Sequence, residues 1–344
     1  MTDSPVVHTQ DLTKKYGDFV ALDGLNISVD RGQILGFIGP NGAGKTTTIK
    51  ILVGLARPTA GKATIAGADC VADARQIKRL VGYMPDVFGS YDNMRVHEYL
   101  DFFGAAFKIP RKDRARRIDE SLELTGSTYM KDRFVDALSH GMKQRVGIAR
   151  TLLHDPEVLI LDEPANGLDP QARIEMRQIL LRLAKMGKTL IVTSHILPEL
   201  SRICDSVAII IQGKLRAAGS LADIMKQINQ RRIMEVVLTD ASHVDRAAGL
   251  IKDNLEDDAT ITPSKTEAQV RFETKADDAR LADLLALLAG SSVRVAQFHE
   301  VPLDLEDAFL SVTRDMQQGG SGARPGETAG MSEPASAGAE EIKN

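Results

Sequence analysis

Cysteine is nearly absent from this sequence: 344 residues carry two, Cys70 and Cys204. That is too few for a disulfide framework or a cysteine-based metal cluster, and it fits a reducing cytosol. Both are expected to be small buried hydrophobes. An excess of one charge is missing too. With 43 basic and 47 acidic residues the net charge is −4, so no global field holds nucleic acid or an anionic membrane, and any such binding is local. No window approaches the roughly 18 uninterrupted apolar residues of a membrane span, and residues 1–10 lack a basic start followed by an apolar run. Neither a transmembrane helix nor a signal peptide is expected, and a chain of this kind reaches a membrane only through a partner. His243 and His299 stand alone in the sequence, which argues against a metal site around them.

The length suits two domains, each with a core able to stand unaided. Chemistry concentrates in one stretch: Gly39, Pro40, Asn41, Gly42, Ala43, Gly44, Lys45, Thr46 and Thr47. Gly39, Gly44, Lys45 and Thr46 fit G-x-x-x-x-G-K-[ST], with an apolar strand leading in (Ile34 to Ile38) and a helical run leading out (Thr46 to Leu55), the context that this motif requires. The glycines let successive N–H groups point inward at a β-phosphate and the helix start adds its positive dipole end. Lys45 reaches the β- and γ-phosphates, and Thr46 ligates Mg²⁺.

Residues 5–30 alternate as strands do, with turns at Tyr16-Gly17-Asp18 and Asp30-Arg31-Gly32, so an antiparallel β layer is expected ahead of the loop. On the residues alone, Tyr16 covers core more readily than it stacks on a base. Leu80 to Met84 reads as a buried strand ending at Pro85-Asp86, and residues 87–140 as a helical insert. The basic run from Arg111 to Arg117 reads as the solvated face of a helix. Leu138-Ser139-His140-Gly141 opens a helix with an N-cap serine, a start that is also an anion site. Val158 to Leu161 reads as a buried parallel strand that delivers Asp162 and Glu163 to its C-terminal edge, where ligands bind in open α/β sheets. Asp162 there can hold Mg²⁺ through water, and Glu163 can act as general base. A further strand from Thr189 puts His195 at the same edge, able to hydrogen-bond a γ-phosphate or the attacking water. The core sheet is then read as closing with Ser206 to Ile211, a turn at Gln212-Gly213 and a helix over Leu221 to Gln230.

Residues 1–230 thus read as a nucleotide-binding domain and 231–316 as a smaller α+β domain of β-α-β-β-α-β type with one added helix, Asp304 to Thr313. Residues 317–344 are rich in Gly, Ala, Ser, Glu and Pro and cannot offset the entropy of ordering, so they read as a disordered tail. Their deletion is expected to leave the melting temperature unchanged in scanning calorimetry; a clear fall means that the segment packs.

In combination and order, these motifs resemble the ATPase subunit of an ATP-binding cassette (ABC) transporter. The resemblance covers about residues 5–230: the phosphate loop, Leu138 to Met142 in the signature position, the Asp162-Glu163 strand, Gly167-Leu168-Asp169-Pro170 as D-loop and His195 as switch histidine. It implies an α/β fold with a mixed sheet around the loop, an antiparallel β layer and a helical subdomain, followed here by a ferredoxin-like domain. It makes Tyr16 the ring that stacks on adenine, and gives Ser139, Gly141 and Met142 the γ-phosphate of ATP held by a second copy. Asp169 would couple the two sites of a homodimer, and ATP and Mg²⁺ are the implied cofactors. Two departures stand out. His140 and Met142 replace the usual glycine and glutamine, and Asp86 replaces the usual glutamine after the Gly-Tyr strand, where it would reach the metal through water. Gly82-Tyr83-Met84-Pro85-Asp86 with Phe88 and Tyr91 is similar to subunits serving export-type (ABC-2) permeases, with residues 86–104 meeting the permease at the cytoplasmic face of the membrane and no nucleic acid expected. The alternative is a soluble ABC-type ATPase acting on ribosomes or nucleic acid. Such relatives carry two cassettes or long coiled coils, and the stretch between Lys45 and Ser139 holds no sustained heptads.

Overall fold

The computed structural model describes residues 5–86, 89, 93–194, 200–220, 223–224, 232–255 and 260–301. Val7–Tyr16 (β1) and Phe19–Val29 (β2) pair antiparallel, and Ile34–Ile38 (β3) leaves them for a second sheet. Lys45–Leu52 (α1) follows, three residues shorter at its end than the sequence suggests, because Gly54 at a φ of 73° stops it. Ala60–Ile65 (β4) and Ala68–Asp69 (β5) complete an antiparallel layer in the order β2-β1-β4-β5. After Ala74–Leu80 (α2) and Val81–Met84 (β6) come Val96–Ala106 (α3) and Arg111–Leu124 (α4). Then come His140–Leu152 (α5), Val158–Leu161 (β7), Pro170–Lys185 (α6) and Thr189–Thr193 (β8), followed by Ser206–Ile211 (β9) and Lys214–Ser220 (β10).

The second sheet runs β10-β9-β3-β8-β7-β6, parallel except for the antiparallel β9–β10 hairpin. Its strands read as unbroken apolar runs because both faces are covered. Leu35, Phe37, Ile160, Ile191 and Ile210 face one core with Leu22, Leu25 and Ile49; Ile38, Leu161, Val192, Ile209 and Ile211 face another with Ile148, Leu180 and Leu183. Helices α3 to α5 share a third core around Tyr99, Leu100, Leu122 and Val146. Burial of each such side chain stabilises by roughly 1.5–3 kcal/mol.

The basic run lies on α4, where Arg114 pairs with Asp101 at 2.9 Å and Arg116 with Glu120 at 2.7 Å. Its charges are spent on neighbours and water. Cys70 is buried and Cys204 half-buried. Burial pushes both thiols up, that of Cys70 to about 12, so neither is a nucleophile at neutral pH.

Strand β10 departs from the sequence reading, which ends the sheet at Ile211. Its Ala and Gly content and half-exposed edge position give little β signal. The signal that was present is the turn. Gln212 and Gly213 both have positive φ, 51° and 76°, the conformation of a two-residue hairpin turn. The helix expected over Leu221 to Gln230 lies outside the described residues apart from 223–224, and Phe88, Tyr91, His195, the helix expected over Asp304 to Thr313 and residues 317–344 lie outside them as well.

Arg232–Leu238 (β11), Val244–Asn254 (α7), Ile261–Ser264 (β12), Gln269–Thr274 (β13), Asp278–Gly290 (α8) and Val295–Glu300 (β14) form a third sheet in the order β12-β13-β11-β14, antiparallel throughout. This is the ferredoxin-like arrangement. Val236, Phe272, Ala247 and Leu284 share its separate core.

Candidate active site

Strands β3, β8 and β7 are neighbours, so the loop after Ile38, Thr193 and the Asp162-Glu163 pair emerge side by side at one sheet edge. The loop is seated from below: Gly213 donates its N–H to the Ala43 carbonyl at 2.9 Å, so the β9–β10 hairpin holds the loop's underside. Gly44 has a φ of 111°, and a Cβ there would lie 2.8 Å from the Ala21 carbonyl oxygen, so only glycine fits. Gly42, at a φ of 78°, instead opens on empty space, leaving room against the backbone. The first intrahelical bond of α1 runs from Thr48 N–H to the Gly44 carbonyl at 2.9 Å. The N–H groups of Lys45, Thr46 and Thr47 precede it, and this helix start has no side-chain cap and no acid in its first turn. Helices α3 to α6 each start with a capping side chain, an acid or both, while the short α2 shares the bare start of α1. Such an end is built for an anion.

Lys45 is 8% exposed and its Nζ donates to the carbonyls of Gly39 and Pro40. Burial lowers its pKa, opposed by the charges of Glu163 and Asp162. Asp162 is 7% exposed; its carboxylate accepts from the Thr193 hydroxyl at 2.6 Å, and the Thr193 oxygen accepts from the Glu163 N–H at 2.9 Å. Burial raises the Asp162 pKa; Glu163 and Asp86 push it the same way, while the Thr193 bond and Lys45 oppose them. Glu163 holds a φ of 52°, a left-handed backbone uncommon outside glycine and frequent at functional sites. Asp162 and Glu163 both act on Lys45, and Asp86 acts on Asp162, so this wall carries more negative charge than the lysine balances. The described residues hold no cluster of three such side chains able to ligate a metal by themselves, so a divalent cation here would draw on Asp162, the Thr46 hydroxyl and Asp86 along the cleft wall with water or phosphate oxygens completing its shell.

The cleft has a volume of about 490 Å³ and takes in Tyr16, residues 40–47, Asp86, Asp162 and Glu163. Phe19 and Tyr83 also line it, and neither was singled out as a site residue from sequence. Phe19 is 63% exposed, Tyr16 49%, at the β1–β2 turn, so two aromatic rings border the mouth. An aromatic two residues past a Tyr-Gly turn was the available signal for Phe19. Thr193 had none, because a threonine inside an apolar strand reads as β propensity alone. Tyr83 has its hydroxyl pushed up to about 12, first by burial and then by Asp162 and Asp86.

Ser139, Gly141, Met142 and Asp169 do not line this cleft. They gather at the starts of α5 and α6: the Ser139 hydroxyl accepts from Met142 N–H at 3.3 Å, the Asp169 carboxylate from Ala172 N–H at 2.8 Å, and a Cβ on Gly141 would lie 3.4 Å from the Ala172 Cβ.

The charge of buried Asp162 carries a test. A carboxyl whose pKa is raised on folding costs stability at pH values above its unfolded pKa, and the cost disappears as pH falls through the folded pKa. At neutral pH Asp162→Asn is therefore expected to melt a few degrees higher than wild type without nucleotide, and to gain less from Mg²⁺-ATP. Differential scanning fluorimetry checks both, and a lower apo melting temperature contradicts the charge account.

Comparison with known proteins adds to this geometry. Residues 22–166 match the family model described as ABC transporter. The chain is 43% identical to the bacitracin transport ATP-binding protein of Bacillus licheniformis over 238 residues, 69% of this chain and 76% of that one. It is 35% identical to the Nod factor export ATP-binding protein I of Cupriavidus metallidurans over 314 residues, 91% of this chain and 99% of the relative. Among solved structures, one described as the ATP binding subunit of an ABC transporter aligns with a TM-score of 0.59 at 32% identity, over 64% of this chain and 92% of that one.

Proposed function

Because the chain belongs to the family of ABC transporter ATP-binding proteins, we propose that two copies close around two ATP molecules, hydrolyse them and drive an ABC-2-type export permease from the cytoplasmic face of the membrane. The observation that carries the reading is the separation of two half-sites: a phosphate cleft with its acids, and the Ser139–Asp169 cluster away from it. A second copy turned to face the first would complete both sites at once, which is the economy of a twofold interface.

In this reading Lys45 leaves the loop carbonyls for the β- and γ-phosphates, joined by the first N–H groups of α1. Tyr16 and Phe19 take the adenine ring. Asp162, Thr46 and Asp86 would hold Mg²⁺, which when bound would neutralise charge on the transferring phosphoryl group. Glu163 polarises the attacking water, and His195 hydrogen-bonds the γ-phosphate or that water. Ser139, Gly141 and Met142 of the opposite copy meet the same phosphate, and Asp169 faces the other site. Closure is a population shift, worth the difference in ATP affinity between open and closed pairs.

Export is favoured by the names of the relatives, one for bacitracin transport and one for Nod factor export. The permease has a place to bind: a groove of about 520 Å³ takes in Leu55, Phe103 and Phe107 and shares Tyr83 with the nucleotide cleft, so cleft and groove have a common wall. Leu55 is 64% exposed there, a surface leucine whose replacement leaves the core intact. Tagged protein in ATP is expected to capture a multi-helix membrane protein from detergent-solubilised membranes, and Leu55→Asp to lose it while still hydrolysing ATP. Ribosomes or nucleic acid in place of a membrane protein would contradict the transport reading.

A further inference from the structure

We infer that His140 is a positioning residue that ties the start of α5 to the loop carrying Glu163, so that phosphate contact at one ATP site sets the general base of the other. This rests on the paired-site reading above. The His140 Nε2 lies 2.9 Å from the Asn166 carbonyl oxygen. A carbonyl carries no proton, so Nε2 donates to it; the Gln144 amide nitrogen lies 3.4 Å from the same ring nitrogen. The position is one where the family pattern has glycine, which offers no side-chain donor, so the tie belongs to this chain's departure from that pattern.

What the bond grips is specific. Asn166 is midway between Glu163 and Asp169. It closes a turn by donating its N–H to the Glu163 carbonyl at 3.1 Å, and Leu168 donates to the Ala165 carbonyl at 3.4 Å. The His140 ring also lies over the next residue: a Cβ on Gly167, itself at a φ of 67°, would meet the ring at 3.5 Å. The turn held by His140 therefore begins at the left-handed backbone of Glu163, a conformation that persists only where its surroundings impose it. Thr193 imposes it from the sheet side and His140 from the helix side.

The helices themselves do not depend on His140. Arg145 on α5 pairs with Glu175 on α6, and Gly141 packs against Ala172 and Leu168. The ring is exposed. Losing it leaves α5 docked on α6 and releases the Asn166 loop, together with the ring's contact to the Gln144 amide one turn along α5. In a closed pair, Ser139 and Gly141 meet the ATP of the opposite copy while Glu163 acts on the ATP of its own. His140, adjacent to both contacts in sequence and bonded to the turn of Glu163, is the link between the two sites.

The test is steady-state Mg²⁺-ATP hydrolysis against ATP concentration by the full chain, for wild type, His140→Ala and His140→Gln, with melting temperature and ATP affinity measured on each. Misplacing a general base costs about tenfold or more in rate. His140→Ala is expected to lose that factor in kcat and to drop the Hill coefficient toward one, with KM, ATP affinity and melting temperature close to wild type. The glutamine amide nitrogen sits near the position of Nε2, so His140→Gln is expected to recover both quantities. Wild-type kcat and cooperativity in His140→Ala would overturn the inference, as would a glutamine variant no better than alanine, or a lost rate accompanied by a lower melting temperature. Failure of the underlying reading shows differently, as wild-type hydrolysis that survives Lys45→Ala or rises without cooperativity, and it removes this inference with it.

Discussion

Glu163→Gln is expected to lower kcat for ATP hydrolysis by about 10²–10⁴, the usual contribution of a positioned general base, with ATP affinity retained. The substitution keeps the size of the side chain and the backbone N–H that Thr193 accepts, so the strained turn and the Asp162 carboxylate stay in place. What disappears is the negative charge able to take a proton from water. Removing it also relieves the crowding of acids, because Glu163 is one of the charges that raise the Asp162 pKa. Nucleotide binding therefore holds or tightens while turnover stops. Single-turnover kinetics with labelled ATP measure both. A variant with wild-type kcat would remove Glu163 from the reaction.

Lys45→Ala is expected to weaken ATP binding at least thirty-fold, since truncating one partner of a buried charge pair costs roughly 2–5 kcal/mol. The lysine is buried at the base of the cleft and the alanine variant leaves that volume empty. Two consequences separate this from simple loss of fold. The apo protein still melts cooperatively, because without phosphate the hydrogen bonds of Lys45 among the described residues go to the loop carbonyls of Gly39 and Pro40. The thermal shift produced by ATP disappears, because stabilisation by a ligand follows its affinity. Wild-type affinity has a pH signature as well. Burial lowers the Lys45 pKa, so the binding-competent charged form is lost earlier than for an ordinary lysine as pH rises, and ATP affinity falls on the alkaline side. Isothermal titration at neutral and alkaline pH measures it; unchanged affinity in Lys45→Ala would sink the phosphate-loop assignment.

The phosphate loop and the Asp162-Glu163 strand were legible in the sequence because their chemistry constrains the chain locally. A glycine-rich turn between strand and helix, and four apolar residues ending in acids, leave few alternatives. The ferredoxin-like order of the third sheet was legible for a related reason: alternating strands and two amphipathic helices admit few antiparallel arrangements. What stayed hidden depends on long-range partners. Strand β10 forms because a hairpin turn returns it to β9, and its own Ala- and Gly-rich composition argues against a strand. Thr193 becomes part of the site through β8 lying between β3 and β7, an order that no local pattern encodes. His140 reads as an odd residue in a familiar motif until Asn166, distant in sequence, is seen beside it. The two cysteines read as small buried hydrophobes, which holds for Cys70, while Cys204 is half-buried.

The central claim is that the cleft is half of a site completed by a second copy. Its most direct test is size-exclusion chromatography with light scattering on Glu163→Gln, with Mg²⁺ and ATP and then without nucleotide. The account predicts a shift from one copy to two on adding ATP, abolished by a second substitution at Lys45. A mass of one copy at every ATP concentration would contradict it.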